Sequence, residues 1–320
     1  MKKIFIVFKV LIYMPLIFLL IIIRPVIFIK FYIISLDRIG NIVHPDMFLI
    51  NKKKNFLSIL LINSKKNNSA LIQILKKRIK LLFITNTFPQ VLHILSKRFE
   101  FIRKHIYKKN NFQSFDFINK KRNFYLTKEQ IYLGEKIFRD NIGKKLLEKK
   151  IICFTTRDNE YLKKKFPNRN FEYHNYRDMN ADKIIPAIKY LIKKGFFVIR
   201  MGRVAQKKIN FKNQFFLDYP FSNYKCDLLD VYIAEKAYNW FGSNCGLDLL
   251  RWIFRKPVAI FNMAPLALMP FNHKNIVVIP KKYKKNNKYL KLSEIFELSV
   301  AAASGQKEFL TKKIKLIENS

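Results

Sequence analysis

A chain of 320 residues, half of them hydrophobic, is long enough for one large domain or two modest ones with a sizeable core. Lys and Arg number 62 against 22 acidic residues, a formal net charge of +40, which taken alone points to nucleic acid or an anionic membrane. The excess is mostly lysine in a chain rich in Ile, Asn, Phe and Tyr, a pattern of A+T-rich coding bias, and neither zinc-finger spacing nor an aromatic RNA-binding signature is present, so nucleic acid is not expected as a partner.

The first element is an apolar run from Ile4 to Ile23, broken only by Lys9 and closed by no small-residue cleavage site. About 20 helical residues cross a ~30 Å hydrocarbon core. Residues 1–34 are therefore expected to anchor the chain at the cytoplasmic face of the inner membrane, by spanning it or by dipping into one leaflet. Next, Phe56–Ile62 reads as a strand, Ser69–Lys80 as a helix, Leu81–Thr85 as a strand and Gln90–Arg103 as a helix, the alternation of a parallel α/β sheet. This first α/β domain is placed at 35–125. Thr127 opens a linker helix, 126–148, with Gln130 at capping-box spacing.

A second series fills 149–300, with a terminal helix over 301–320. Strands are expected at Ile151–Thr155, Phe196–Met201, Phe215–Leu217 and Asn275–Ile279, and helices at Asp182–Lys194 and from Asp227, read as the cap, to Ala237. Tyr238–Phe261 reads as strand, small-residue turn, helix and strand. Ser243, Asn244 and Gly246 fall where that helix begins, and unpaired amides there suit a phosphate group. The fold class is thus α/β, two Rossmann-like domains preceded by an apolar helix. The basic runs Lys52-Lys53-Lys54 and Lys281-Lys282-Tyr283-Lys284-Lys285 lie between apolar segments and read as solvated loops.

In an open parallel sheet, ligands bind beyond the carboxyl ends of the strands. Polar residues gather at those ends: Arg157 and Asp158; Arg200, Gly202 and Arg203; Asp218 and Tyr219; Ser243 and Asn244; and Asn262. Arginine binds phosphate bidentately and stays charged, so the ring suits an anion. His174 stands in a polar, aromatic segment and is a candidate general base, beside Arg177 and Asp178. Cys153, Cys226 and Cys245 are odd in number and widely spaced, against a disulfide framework or zinc site. There is no Walker-type loop, and no Asp-x-Asp pair offers a divalent metal to a diphosphate, so no metal site is expected.

The ordered set His174-Asn175-Tyr176-Arg177-Asp178, Val198-Ile199-Arg200-Met201-Gly202, Asp218-Tyr219, Gly242-Ser243-Asn244-Cys245-Gly246 and Pro257 to Asn262 resembles a family of bacterial glycosyltransferases found with surface-polysaccharide genes. Arg157-Asp158 with Tyr161, and Leu36-Asp37-Arg38-Ile39-Gly40, fit the same pattern. The resemblance implies a GT-B architecture, in which the second domain holds a nucleotide-diphosphate sugar and the first takes a glycan or lipid-linked acceptor. It implies donor contacts from Arg157, Arg200, Gly202, Arg203, Asp218, Tyr219, Ser243, Asn244, Gly246 and Asn262, and acceptor-side contacts from Arg38, Gly40 and Arg177. Catalytic roles would fall to Arg200 and to His174 or His44; the family pattern places a histidine after Gly40, where this chain has Asn41. The nucleotide sugar is a co-substrate, and no other cofactor is expected. Two alternatives stay open: a pyruvyl or phosphoryl transferase acting on a glycan, and a non-enzymatic basic module at a membrane binding nucleic acid or anionic lipid.

Overall fold

A computed structural model describes residues 2–34, 38–42, 56–62, 68–83, 87–106, 119–269 and 275–319. The chain divides into two units, Met1–Asn111 and Phe112–Ser320.

In the first unit, helix α1 (Lys2–Ile23) is followed by β1 (Phe28–Ile34). Strands β1, β2 (Phe56–Ile62) and β3 (Lys80–Phe83) form a parallel sheet in that order, with Phe31 opposite Ile59 and Leu61 opposite Leu82. Helix α2 (Ser69–Lys76) starts where the Asn68 side chain accepts from the Leu71 amide, a local cap. The helix expected over 90–103 is two helices, α3 (Thr87–Arg98) and α4 (Glu100–His105), because Phe99 takes extended backbone angles.

The membrane anchor is not supported. Among the described residues, no helix is long and apolar enough to cross a membrane. Pro25 follows the end of α1, and aromatic and β-branched residues then form β1, so the second part of the expected anchor is a sheet strand. One face of α1 is core: Ile17 and Leu20 are buried with Phe31, Leu61, Phe88 and Leu92. The Tyr13 hydroxyl bonds Thr87 Oγ1 at 3.0 Å. Hydropathy alone does not separate a helix packed on protein from one packed in lipid. The localisation that rested on the anchor falls with it.

The second unit opens with α5 (Lys128–Asn141). Its capping box is formed: Thr127 Oγ1 accepts from the Gln130 amide and Gln130 Oε1 from the Thr127 amide, each at 3.1 Å. Gly134 lets this helix approach the helix Asp227–Lys236, since a Cβ there would stand 2.6 Å from the Tyr232 ring. The sheet has six strands, β4 (Ile151–Thr155), β5 (Phe197–Met201), β6 (Phe216–Asp218), β7 (Asn239–Gly242), β8 (Val258–Met263) and β9 (Ile276–Pro280), all parallel, in the order β6-β5-β4-β7-β8-β9. Strands β4 and β5 are buried throughout, which fits their largely apolar sequences, with Thr155 and Arg200 the polar residues among them. Helix α6 (Ile185–Lys193) packs Ile188 against Phe154 and Val198. Helix α7 (Asp227–Lys236) is capped by Cys226, whose Sγ accepts from the Leu229 amide, so Asp227 is its first residue and not its cap.

A small antiparallel sheet, β11-β10-β12, follows: β10 (Lys282–Lys285), β11 (Lys288–Tyr289) and β12 (Lys315–Ile317). The Lys281–Lys285 run is therefore not a loop. Tyr283 is buried with Phe309, Val300 and Ile295, and Lys281 is only 5% exposed. The Lys52-Lys53-Lys54 run lies outside the described residues.

Candidate functional site

The chain moves outward from β4 through β5 to β6, and from β7 through β8 to β9 on the other side. The order reverses between β4 and β7, and such a switch point opens a crevice at the carboxyl ends of the strands. Those two ends are stitched together: the Arg157 amide donates to Ser243 Oγ at 2.7 Å, and the Ser243 amide donates to Thr155 Oγ1 at 3.2 Å.

Beneath the turn lies a carboxylate that the sequence reading passed over. Asp248 is 1% exposed and accepts from Thr155 Oγ1 at 2.7 Å, Trp240 Nε1 at 2.8 Å and the Cys245 amide at 2.8 Å. Burial raises its pKa, and burial pushes the neighbouring Cys245 thiol up to about 12, so that thiol is no ready nucleophile. The signal was available, since Asp248 stands three residues after Cys245, the spacing of an acidic group that reaches back to its cap. It also changes the expected helix start. Gly246–Asp248 is a single 3-10 turn, the α-helix α8 is only Leu249–Ile253, and the amides of Ser243 and Cys245 already serve the protein.

On the β4, β7 and β9 side, the 3-10 segment Glu172–Arg177 is seated on the strand ends. Arg157 donates to the His174 carbonyl at 3.1 Å and pairs with Asp178. Arg177 donates to the Asn244 carbonyl. Lys281, just after β9, donates to the carbonyls of Tyr176 at 3.0 Å and Asp178 at 2.6 Å. Asn244 and Asn262 take left-handed backbone angles, φ 58° and 53°, as asparagine does more readily than most residues. Asn262 Oδ1 accepts from the Asn319 amide at 2.7 Å and from its side chain at 3.1 Å. Gly246 is exposed at the turn.

The β5 and β6 side is a separate ionic network. Arg200, 1% exposed, donates to Thr156 Oγ1 at 2.9 Å, to the Lys207 carbonyl at 2.9 Å and to Asp218 at 3.4 Å. Asp218 also accepts from the Ile209 amide at 2.9 Å. Arg203 spans Asp227 at 2.6 Å and Asp230 at 2.7 Å, and the buried Tyr219 hydroxyl donates to Asp230 at 2.8 Å. Gly202, at φ 151°, has no room beside Pro220 for more than a tight Cβ contact of 3.3 Å. Arg200, Arg203, Asp218 and Tyr219 were expected to contact the donor; in the fold Arg200 pairs with Asp218 of β6, and Arg203 and Tyr219 meet Asp230 of α7. The ion-pair partner of Asp178 is Arg157.

His174 is half-buried, with its ring 4.0 Å from that of Tyr173. His44 lies outside the described residues. Arg38 is exposed and Gly40 half-buried at a 3-10 turn of the first unit. Among the described residues, no group of three or more His, Cys, Asp and Glu side chains could hold a metal ion.

No family model matches this chain, and no curated protein matches it. Solved structures do. The glycosyl transferase family 9 structure from Veillonella parvula DSM 2008 is similar with a TM-score of 0.50 and 8% identity, over 88% of this chain and 96% of that one. The E. coli ADP-heptose lps heptosyltransferase II is similar with a TM-score of 0.48 and 10% identity, over 89% and 97%. The iron-containing dodecameric glycosyltransferase TibC from enterotoxigenic E. coli H10407 gives 0.40 and 13%, over 82% and 63%. The first likeness shows that this chain shares that structure's fold, a mixed α/β structure with a parallel sheet.

Proposed function

We propose that this chain is a glycosyltransferase of GT-B-like, two-domain architecture. It moves a sugar from a nucleotide-diphosphate donor to a glycan or lipid-linked acceptor in bacterial surface-polysaccharide synthesis. The observation that carries the reading is the gathering of two arginines, Arg157 and Arg177, on the Ser243–Asn244 turn at the switch point of a six-stranded parallel sheet on this fold. In the reading, the second unit holds the donor and the first takes the acceptor, with Arg38 and Gly40 on the acceptor side. Charge developing on the leaving diphosphate is met by fixed cations and dipoles. His174 is the base for the acceptor hydroxyl.

The test is calorimetric titration of the full chain with UDP, GDP and ADP, then release of the nucleoside diphosphate from the matching sugar nucleotides. One nucleotide class should bind and raise the melting temperature by mass action. The reading fails if none binds and none of their sugar derivatives is consumed. Duplex DNA bound instead, with affinity falling steeply in salt, would identify a basic binding module.

A further inference from the structure

Four arginines stand at the carboxyl ends of the second unit's sheet or on the segment seated there, and they differ in what neutralises them. Arg200 has Asp218, Arg203 has Asp227 and Asp230, and Arg157 has Asp178. Arg177 donates from Nη2 to a neutral acceptor, the Asn244 carbonyl, and its Nε is buried with no hydrogen-bond partner in the protein. A guanidinium N–H out of water without an acceptor is costly, so such a group marks a place prepared for one. Asn262, 1% exposed at the end of β8, likewise has a side-chain Nδ2 with no partner in the protein.

The charge around Arg177 has the same sign. Arg157, Lys281 and Arg177 act on the Asp178 carboxylate, and Asp158 is a second carboxylate beside it, three cations to two anions at one end of the sheet. Lys281 contributes more than charge. Its ammonium bridges the carbonyls of residues 176 and 178, on either side of Arg177, and so sets the path of the main chain that carries the guanidinium. Tyr176 packs on Phe309 with ring centroids 5.1 Å apart, holding the same segment from below. Arg177 itself is half-buried.

We propose that Arg177, rather than Arg200, is the arginine that takes the phosphoanion at this site, and that Lys281 is the positioning residue that aims it. The ligand class is a phosphate or diphosphate group. The inference deepens the glycosyl-transfer reading and rests on it for the diphosphate's identity as part of a donor. It moves Arg177 from the acceptor side to the donor.

The probe is inorganic pyrophosphate, titrated calorimetrically into the full chain at low salt, with melting temperature recorded for each variant. Arg177→Met should weaken binding about tenfold to a hundredfold, the loss of one charge-assisted bond, with the melting temperature unchanged or raised. Arg177→Lys should recover part of the affinity. Lys281→Met should weaken binding, and Lys281→Arg should restore part of it, a rescue that mere packing would not give. Arg200→Met should lower the melting temperature, and whatever remains folded at the titration temperature should bind pyrophosphate as the parent does. The proposal is overturned if wild type fails to bind pyrophosphate, if Arg177→Met binds like wild type, or if Arg200→Met loses binding with its melting temperature intact. If Arg177→Met abolishes pyrophosphate binding while wild type consumes no sugar nucleotide, the anion site stands and glycosyl transfer falls. If Arg177→Met turns over a sugar nucleotide with wild-type KM, transfer stands and the assignment falls.

Discussion

Gly242 faces Asp248 so closely that a Cβ on the glycine would stand 2.5 Å from the carboxylate. The carboxylate cannot retreat, because Thr155, Trp240 and the Cys245 amide all hold it. Gly242→Ala should therefore cost about 1–3 kcal/mol by overpacking and distort the Ser243–Cys245 turn. Denaturant unfolding measures the first effect. A wild-type midpoint for this variant would mean the turn is looser than described.

Arg200 and Asp218 form a buried pair, so their single and double substitutions should not add. Arg200→Met leaves Asp218 charged and enclosed and should cost about 3–5 kcal/mol. The Arg200→Met, Asp218→Leu double variant should recover part of that loss, since no isolated charge remains. Strict additivity in a double-mutant cycle would dismiss the pair as a stabilising unit.

Arg251 is fully buried in α8 and donates to the carbonyls of Ala234 at 2.8 Å, Ala237 at 3.0 Å and Pro257 at 3.1 Å. Burial pushes its pKa down to about 10, yet it remains charged at neutral pH. Arg251→Met leaves three carbonyls facing an apolar side chain. At about 1–3 kcal/mol for each unsatisfied group, the fold should lose several kcal/mol, more than for any exposed Lys→Met control. An unchanged melting temperature would show that water reaches these carbonyls.

Burial pushes the carboxyls of Asp178 and Asp230 up from 3.8 to about 6, against the pull of Arg157 and Arg203 respectively. For an acid whose folded pKa is raised, the folded state binds the extra proton between those two values. The stability each group contributes is full below about pH 4, declines as pH rises through 6 and is flat above. Comparison with Asp178→Asn and Asp230→Asn isolates the effect from other carboxyls: the stability of wild type relative to each variant should fall between pH 4 and 6. A difference that rises over that interval would reverse the sign and show the ion pairs outweighing burial.

The sequence was most readable where the cause of structure is local. Ile151–Thr155 and Phe56–Ile62 are largely apolar runs of strand length, and both are strands with those bounds. Thr127 and Gln130 need only each other to make a capping box. Hydropathy misled at α1, where Ile17 and Leu20 face Phe31 and Phe88, and the informative signal was Pro25 with the β-rich run after it. Strand β10 was hidden because it is basic in composition while Tyr283 within it, and Lys281 just before it, are buried. The arginines at the strand ends were visible as a set. What separates them is the carboxylate each one meets, and those partners arrive from other strands and helices, as Asp218 does for Arg200 and Asp230 for Arg203. That pairing is a property of the folded chain.

The Lys281 ammonium grips main-chain oxygens, which every amino acid supplies. Its hold on the 172–178 stretch therefore does not depend on which side chains project there. Residues such as Tyr173 and Asn175 can be exchanged in the course of evolution or design, reshaping what is recognised, while the path of the stretch is inherited unaltered.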